Sequence, residues 1–343
     1  MKNKVAYMTG IREMEIREEE IPSIKNEEVL IKVEYVGICG SDVHYYENGK
    51  IGNYVVNGNF VLGHEMAGKV VKVGKDVKGF KINDKVTVEP GLTCGKCEYC
   101  KTGQYNLCLD VRFLATPPYH GCFKTYIAYP SDMVYKLPEN ITTKEGALIE
   151  PLCVGLEATK TAEVTLGTSV IILGAGCIGL TTLLAVKAFG ATEIVVVDII
   201  EKRLKKALEL GATRVVNALG KSFEDVKNEI NLEADVVFET AGAEATTQET
   251  VDFVKRGGKI VLVGLTPKEK FEFNFSKLMD KVAEIKTIFR YKNLYSVAIK
   301  AIADGKINIS KIVTDEYDFE DIKEAFEKNI KEKNDVVKAI IKI

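Results

Sequence analysis

Four cysteines fall close together in "CGKCEYCKTGQYNLC", at Cys94, Cys97, Cys100 and Cys108. The spacing C-x2-C-x2-C-x7-C lets one loop deliver four thiolates to a tetrahedral zinc, a closed arrangement with no open position for a substrate. An iron–sulfur cluster also uses grouped thiolates. The ferredoxin run, however, has a tighter last step and a following proline, whereas Leu109 follows Cys108. The chain has only three histidines. "GICGSDVHYY" carries Cys39, Ser41, Asp42 and His44, "VLGHEMAG" carries His64 and Glu65, and "GALIEPLCVG" carries Glu150 and Cys153. A catalytic zinc takes three protein ligands and keeps one position for water or substrate. Cysteines are also common as small buried residues, so these scattered groups alone leave a second metal open.

A different chemistry is legible at Gly174, Gly176 and Gly179, which form G-x-G-x-x-G. The pattern is weak by itself, but here it follows an apolar strand, "TSVIILGAG", and opens a helical run, "CIGLTTLLAVKAFG". The first glycine permits the tight turn, the second lets the backbone approach a pyrophosphate, and the third lets the helix pack on the strand. Unpaired N–H groups at the helix N-terminus would hold the phosphates. Asp198 ends the next strand, "TEIVVVD", where an acid holds the adenosine ribose and repels a 2′-phosphate. NAD is therefore expected over NADP.

Around these residues the chain divides. To about residue 150 it mixes β-branched alternation with Gly and Asn-Asp breaks, which predicts an all-β barrel or sandwich. From Thr165 onward, apolar strands alternate with helical runs such as "IEKRLKKALELG" and "SFEDVKNEI", as in βαβ units of a parallel sheet. After Arg290, "NLYSVAIKAIADG" reads as an amphipathic helix closed by Gly305, and "DVVKAIIKI" as a final strand. A length of 343 residues suits about two domains. A net charge of −2 argues against a nucleic-acid partner. No run of about 18 apolar residues suggests a membrane span, and the start lacks a signal peptide's apolar core. Eight cysteines in such a chain favour metal ligands in a reducing compartment, and a cytoplasmic protein is expected.

At this point a family resemblance becomes specific. The chain resembles the zinc-dependent medium-chain dehydrogenases, and among them the sorbitol (L-iditol) and xylitol dehydrogenases, along nearly its whole length. The match includes "GICGSDVHYYENGKIGNYVV", "VLGHEMAG", "VEPG", "CKTGQYNLC", "ATPP", "KLPEN", "GALIEPLCVG", "LGAGCIGL", "TAGAE", "LVGL" and "FRYKN". The resemblance implies an α/β protein with an N-terminal GroES-like β-barrel catalytic domain and a Rossmann doubly wound parallel-sheet domain. Residues 1–150 would form the catalytic domain with a structural zinc lobe near 90–110, and residues 151–290 the NAD domain. Residues 291–343 would return to the catalytic domain.

It further implies two zinc ions per chain. Cys39, His64 and Glu65 would bind the catalytic ion, with Glu150 acting directly or through a water, and the four lobe cysteines would bind the structural one. Asp42 would orient the histidine ligand, and Ser41 and His44 would relay the alcohol proton. Tyr45, Phe113, Thr116, Glu150, Arg290 and Tyr291 would line the polyol pocket. Ile178, Arg203, Val263, Gly264, Leu265, Ile288, Phe289 and Arg290 would line the cofactor, while Cys153 would be a core residue. The expected reaction is reversible oxidation of a polyol to a ketose, in a homotetramer. Animal sorbitol dehydrogenases lack most of the lobe cysteines kept here, so the individual polyol does not transfer. Threonine 3-dehydrogenase and butanediol dehydrogenase share the ligand framework and are the competing enzymatic readings. A non-catalytic nucleotide-binding protein is the reading from another class.

Overall fold

The strand Glu28–Gly37 is the spine of the N-terminal part. Val29, Ile31 and Val33 alternate inward, as a half-buried strand requires. A register shift between Val33 and Tyr35 then moves the buried face to Val36. One edge of this strand pairs antiparallel with Glu65–Val73. The other edge is shared, its first half taken by Tyr126–Pro130 and its second half by Ala339–Lys342. Lys85–Val88, Val134–Lys136 and Asp315–Asp318 complete a seven-stranded sheet. In this computed structural model, which describes residues 2–266 and 270–343, the sheet encloses a core that includes Val5, Ile31, Val70, Phe123 and Phe326.

Helices interrupt this all-β expectation, two of them short, at Glu98–Lys101 and Thr143–Gly146, and two longer. Gly40–Asn48 follows the spine strand directly, and Ile149–Thr161 begins at the last residues of the N-terminal part. The first escaped the sequence pattern because its buried face is Asp42, Tyr45 and Tyr46 rather than an aliphatic stripe.

The second unit is a six-stranded parallel sheet. Its order runs Arg214–Asn217, Glu193–Asp198, Ser169–Leu173, Ala234–Glu239, Val254–Leu262, Glu284–Thr287. Strands such as "SVIIL" and "ADVVFE" are buried on both faces, which is why they read as continuous apolar runs. Chain direction through the sheet reverses between Ser169–Leu173 and Ala234–Glu239. That switch point is where doubly wound sheets bind ligands, at the carboxyl ends of the strands. Helix Glu201–Leu210 buries Leu204, Ala207 and Leu210 and stops at Gly211, whose φ of 107° is left-handed. Helix Phe223–Ile230 starts on a capping box between Ser222 and Asp225.

The first unit comprises Met1–Glu150, Tyr295–Asp304 and Val313–Ile343, and the second Pro151–Leu294 and Gly305–Ile312. The expected C-terminal segment 291–343 is thus divided. Gly305–Ile312 goes with the second unit, where Ile307, Ile309 and Ile312 are buried. Among the described residues, no helix is long and apolar enough to cross a membrane.

Candidate metal centres and cofactor cradle

Strand pairing assembles the first centre. Cys39 lies just past the end of the spine strand, at the N-cap of helix Gly40–Asn48. His64 immediately precedes the strand Glu65–Val73, and Glu65 opens it, opposite Gly37. One ligand atom each from Cys39, His64 and Glu65 lies within 4.8 Å of the others. Cys39 is half-buried, and His64 and Glu65 are buried. Glu150 is buried too, but it stands outside this group.

Asp42 ties the pieces together. It is fully buried in the first turn of the helix. Its Oδ2 accepts the Cys39 N–H at 3.1 Å and its Oδ1 accepts the Gly63 N–H at 2.9 Å. His64 Nδ1 is 3.6 Å from Oδ1. Gly63 has a φ of 89°, and a methyl there would lie 2.8 Å from the Phe123 ring, so only glycine fits. Burial alone would lower the basicity of His64, but the negative charges of Asp42 and Cys39 outweigh it and hold the ring well above its usual pKa. The same negative surroundings favour a bound cation.

Glu65 carries the best test of fit. It is 1% exposed, and its Oε1 accepts a 2.6 Å hydrogen bond from Lys338 Nζ. Lys338 also donates to the Ile38 carbonyl at 3.0 Å. The ammonium lies against Glu65 Oε2 as well, so Lys338 pairs both oxygens of the carboxylate. A thiol, an imidazole and a carboxylate converging in this way form the donor set of an N/O/S metal site. Sequence reasoning missed Lys338, which sits in a run read only as a final strand. A lysine among apolar strand residues was the available signal.

Ser41, His44 and Tyr45 share the same helix, with Ser41 half-buried, His44 exposed and Tyr45 buried. The Phe113 ring stands 5.7 Å from that of His64. Thr116 follows in the same loop, its N–H donating to the Phe113 carbonyl at 3.1 Å. Arg290 and Tyr291 belong to the second unit. The Arg290 guanidinium packs over Phe289, and Tyr291 is buried. Cys153 lies in the core.

The four lobe cysteines also converge within 4.8 Å. Cys97 Sγ is 3.5 Å from Cys100 Sγ, and Cys94 Sγ is 3.9 Å from Cys100 Sγ, far beyond a disulfide bond. The Cys97 N–H points at Cys94 Sγ and the Cys94 N–H at Cys108 Sγ. Backbone N–H groups of Lys96 and Cys97 pull the Cys94 thiol down to about 6. Thiolates held by backbone donors in a four-sulfur group suit a closed zinc site.

In the second unit the glycine turn has the shape its spacing implies. Gly174 takes a φ of 102°. A methyl on Gly179 would lie 1.9 Å from the Gly174 carbonyl, whereas one on Gly176 would meet nothing within 4 Å. Helix Cys177–Ala188, whose first turn carries Ile178, therefore starts beside open space. Asp198 ends the neighbouring strand and its Oδ2 accepts the Ala175 N–H at 2.6 Å. Arg203 is half-buried in the next helix. The Val263 and Gly264 N–H groups bond the Glu239 carbonyl, and Leu265 is exposed. Ile288 donates to the Leu262 carbonyl, and Phe289 is exposed. An open glycine turn with an acid beside it at the switch point fits a dinucleotide.

Comparison with known proteins agrees with this geometry. Residues 25–139 match the family described as alcohol dehydrogenase GroES-like domain, and residues 177–304 match zinc-binding dehydrogenase. The chain is 48% identical to a zinc-type alcohol dehydrogenase-like protein of Escherichia coli, over 100% of this chain and 99% of that protein. It is 44% identical to a sorbitol dehydrogenase of Bacillus subtilis, over 98% and 96%. A crystal structure of an Escherichia coli oxidoreductase/dehydrogenase of unknown specificity superposes with a TM-score of 0.95 at 48% identity, covering 100% of this chain and 99% of that one.

Proposed function

The chain belongs to the zinc-dependent medium-chain dehydrogenases, and from that premise we propose that it oxidises a secondary hydroxyl of a polyol reversibly to the ketose with NAD. Sorbitol, L-iditol and xylitol are the candidate substrates. The observation that carries the reading is the convergence of Cys39, His64 and Glu65 within 4.8 Å of one another.

Cys39, His64 and Glu65 would hold the catalytic zinc, with Glu150 reaching it through a water. The four lobe cysteines would hold the structural zinc. When bound, zinc supplies Lewis acidity that lowers the pKa of a hydroxyl, and NAD accepts the hydride. Asp42 fixes the Gly63–His64 backbone and so orients the imidazole. Ser41, half-buried, and His44, exposed on the same helix, provide the outward path for the hydroxyl proton. On the family resemblance, Tyr45, Phe113, Thr116, Arg290 and Tyr291 would line the polyol pocket. Gly174, Gly176, Ile178 and Gly179 take the pyrophosphate. Asp198 and Arg203 take the adenosine, and Val263–Leu265 with Ile288–Arg290 take the remainder of the cofactor.

A cytoplasmic location accords with a chain of eight cysteines whose lobe sulfurs stand too far apart for disulfides. Homotetramer assembly is supported by exposed apolar side chains near an edge strand, including Met279, Val282 and Ile285. The deciding experiment measures NAD⁺ reduction with sorbitol, xylitol, L-iditol, threonine and butanediol, with NADP⁺ for comparison. Polyol oxidation with NAD⁺ is expected. Turnover of threonine or butanediol alone, or zinc-loaded protein inert towards all five, would sink the assignment.

A further inference from the structure

Glu239 is 1% exposed and ends the strand Ala234–Glu239, at the switch point beside the glycine turn. No cationic side chain hydrogen-bonds its carboxylate among the described residues. Instead Oε1 gathers three donors: the Ala241 N–H at 2.9 Å, the Gly242 N–H at 2.9 Å and the Thr246 hydroxyl at 2.8 Å. Desolvation raises its pKa, and those hydrogen bonds oppose the rise. Its main-chain carbonyl accepts the N–H groups of Val263 at 2.9 Å and Gly264 at 3.0 Å. Next to it, the Thr240 hydroxyl contacts the carbonyls of Leu173 at 2.9 Å and Gly174 at 3.0 Å.

Three turns therefore meet at two consecutive residues. The turn after Glu239 packs so closely on its neighbours that a methyl on Gly174 would lie 2.9 Å from Ala241 N. A methyl on Gly264 would lie 2.3 Å from Gly242 N and 2.7 Å from Glu239 Oε2. The glycine turn and the Val263–Leu265 turn are two of the surfaces assigned to the cofactor above.

We propose that Glu239 is a positioning residue for the cofactor, holding the 241–246 turn so that the glycine turn and the Val263–Leu265 turn keep the spacing that NAD requires. This rests on the dehydrogenase reading of the second unit. Glu239→Gln keeps an oxygen for the three donors. It also places an amide N–H₂ where Oε2 faces the Gly264 backbone, which pushes the two turns apart. The adenosine-binding Asp198 ends the strand Glu193–Asp198, two strands away from Glu239 in the sheet.

The test compares NADH and adenosine affinities of wild-type and Glu239→Gln zinc-loaded protein, by NADH fluorescence and by calorimetry. Glu239→Gln is expected to raise the Kd for NADH by about tenfold or more, as loss of a buried charged acceptor does, and to leave adenosine affinity within about twofold. Thr246→Val, which removes one donor and disturbs folding less, is expected to shift NADH affinity in the same direction by a smaller factor. Unchanged NADH affinity in both variants overturns the proposal. Equal weakening of NADH and adenosine together with a lowered melting temperature also overturns it, since that marks a merely structural residue. A wild-type protein that binds no NADH overturns the dehydrogenase reading first, and this proposal with it.

Discussion

Lys338 Nζ donates a 2.6 Å hydrogen bond to Glu65 Oε1, joining two buried side chains from opposite ends of the sequence. The contact arises because Glu65 stands opposite Gly37 on one edge of the spine strand and Ile340 opposite Gly37 on the other. A buried ion pair is costly to break from one side, because the remaining charge stays desolvated. Lys338→Met is therefore expected to cost about 3–5 kcal/mol and to loosen zinc at the Cys39–His64–Glu65 group. Urea unfolding and zinc analysis check both effects. Wild-type stability together with full zinc content would refute the pairing's importance.

Gly37 controls the same carboxylate from the backbone. A methyl there would sit 2.0 Å from Glu65 Oε2 and 3.2 Å from Lys338 Cε. Gly37→Ala should displace Glu65 and drop zinc from about two ions per chain to about one, leaving the four-thiolate lobe loaded. Dehydrogenase activity should fall with the lost ion. Cobalt substitution reads the two sites separately, because thiolate-rich and mixed sites differ in absorption.

The lobe cysteines call for the opposite pattern. Cys97→Ala opens the four-sulfur group, so one zinc should be lost and the melting temperature lowered. Any protein that still folds should retain most of its turnover, because the closed site offers no position for substrate. Loss of turnover at full thermal stability would contradict a purely structural lobe.

Acid stability should depend on Asp235 in the second unit. Burial would raise its pKa, but hydrogen bonds from Lys255 and from the Ser169 hydroxyl and N–H, at 2.6 and 2.7 Å, hold it at about 2. A pKa lower in the folded than in the unfolded chain gives stability that is present above about pH 4. That stability is lost as pH falls from there toward 2. Asp235→Asn should be less stable than wild type at pH 7, and the difference should shrink through that window. Denaturant titrations at pH 7, 4 and 3 measure it. A constant gap across the series would rule the linkage out.

The helix Gly40–Asn48 marks the boundary between what pattern reveals and what it hides. The parallel sheet was legible because its strands are buried on both faces and its helices are amphipathic, so each element announces itself within ten residues or so. The pattern of the N-terminal half predicts only β structure. Its nine-residue helix buries a carboxylate and two tyrosines, a face shaped by the centre it serves rather than by apolar period.

By itself the sequence determined the features that short spacing controls: the glycine turn at Gly174–Gly179, the acid at Asp198 and the four thiolates of one loop. Chain connectivity leaves those groups few arrangements. Only the tertiary structure decided that Cys39, His64 and Glu65 converge, that Lys338 covers Glu65, that Glu150 stands apart and that Glu239 ties three turns together. These depend on which distant strands pair and in what register, and a one-residue slip there would turn each side chain to the other face.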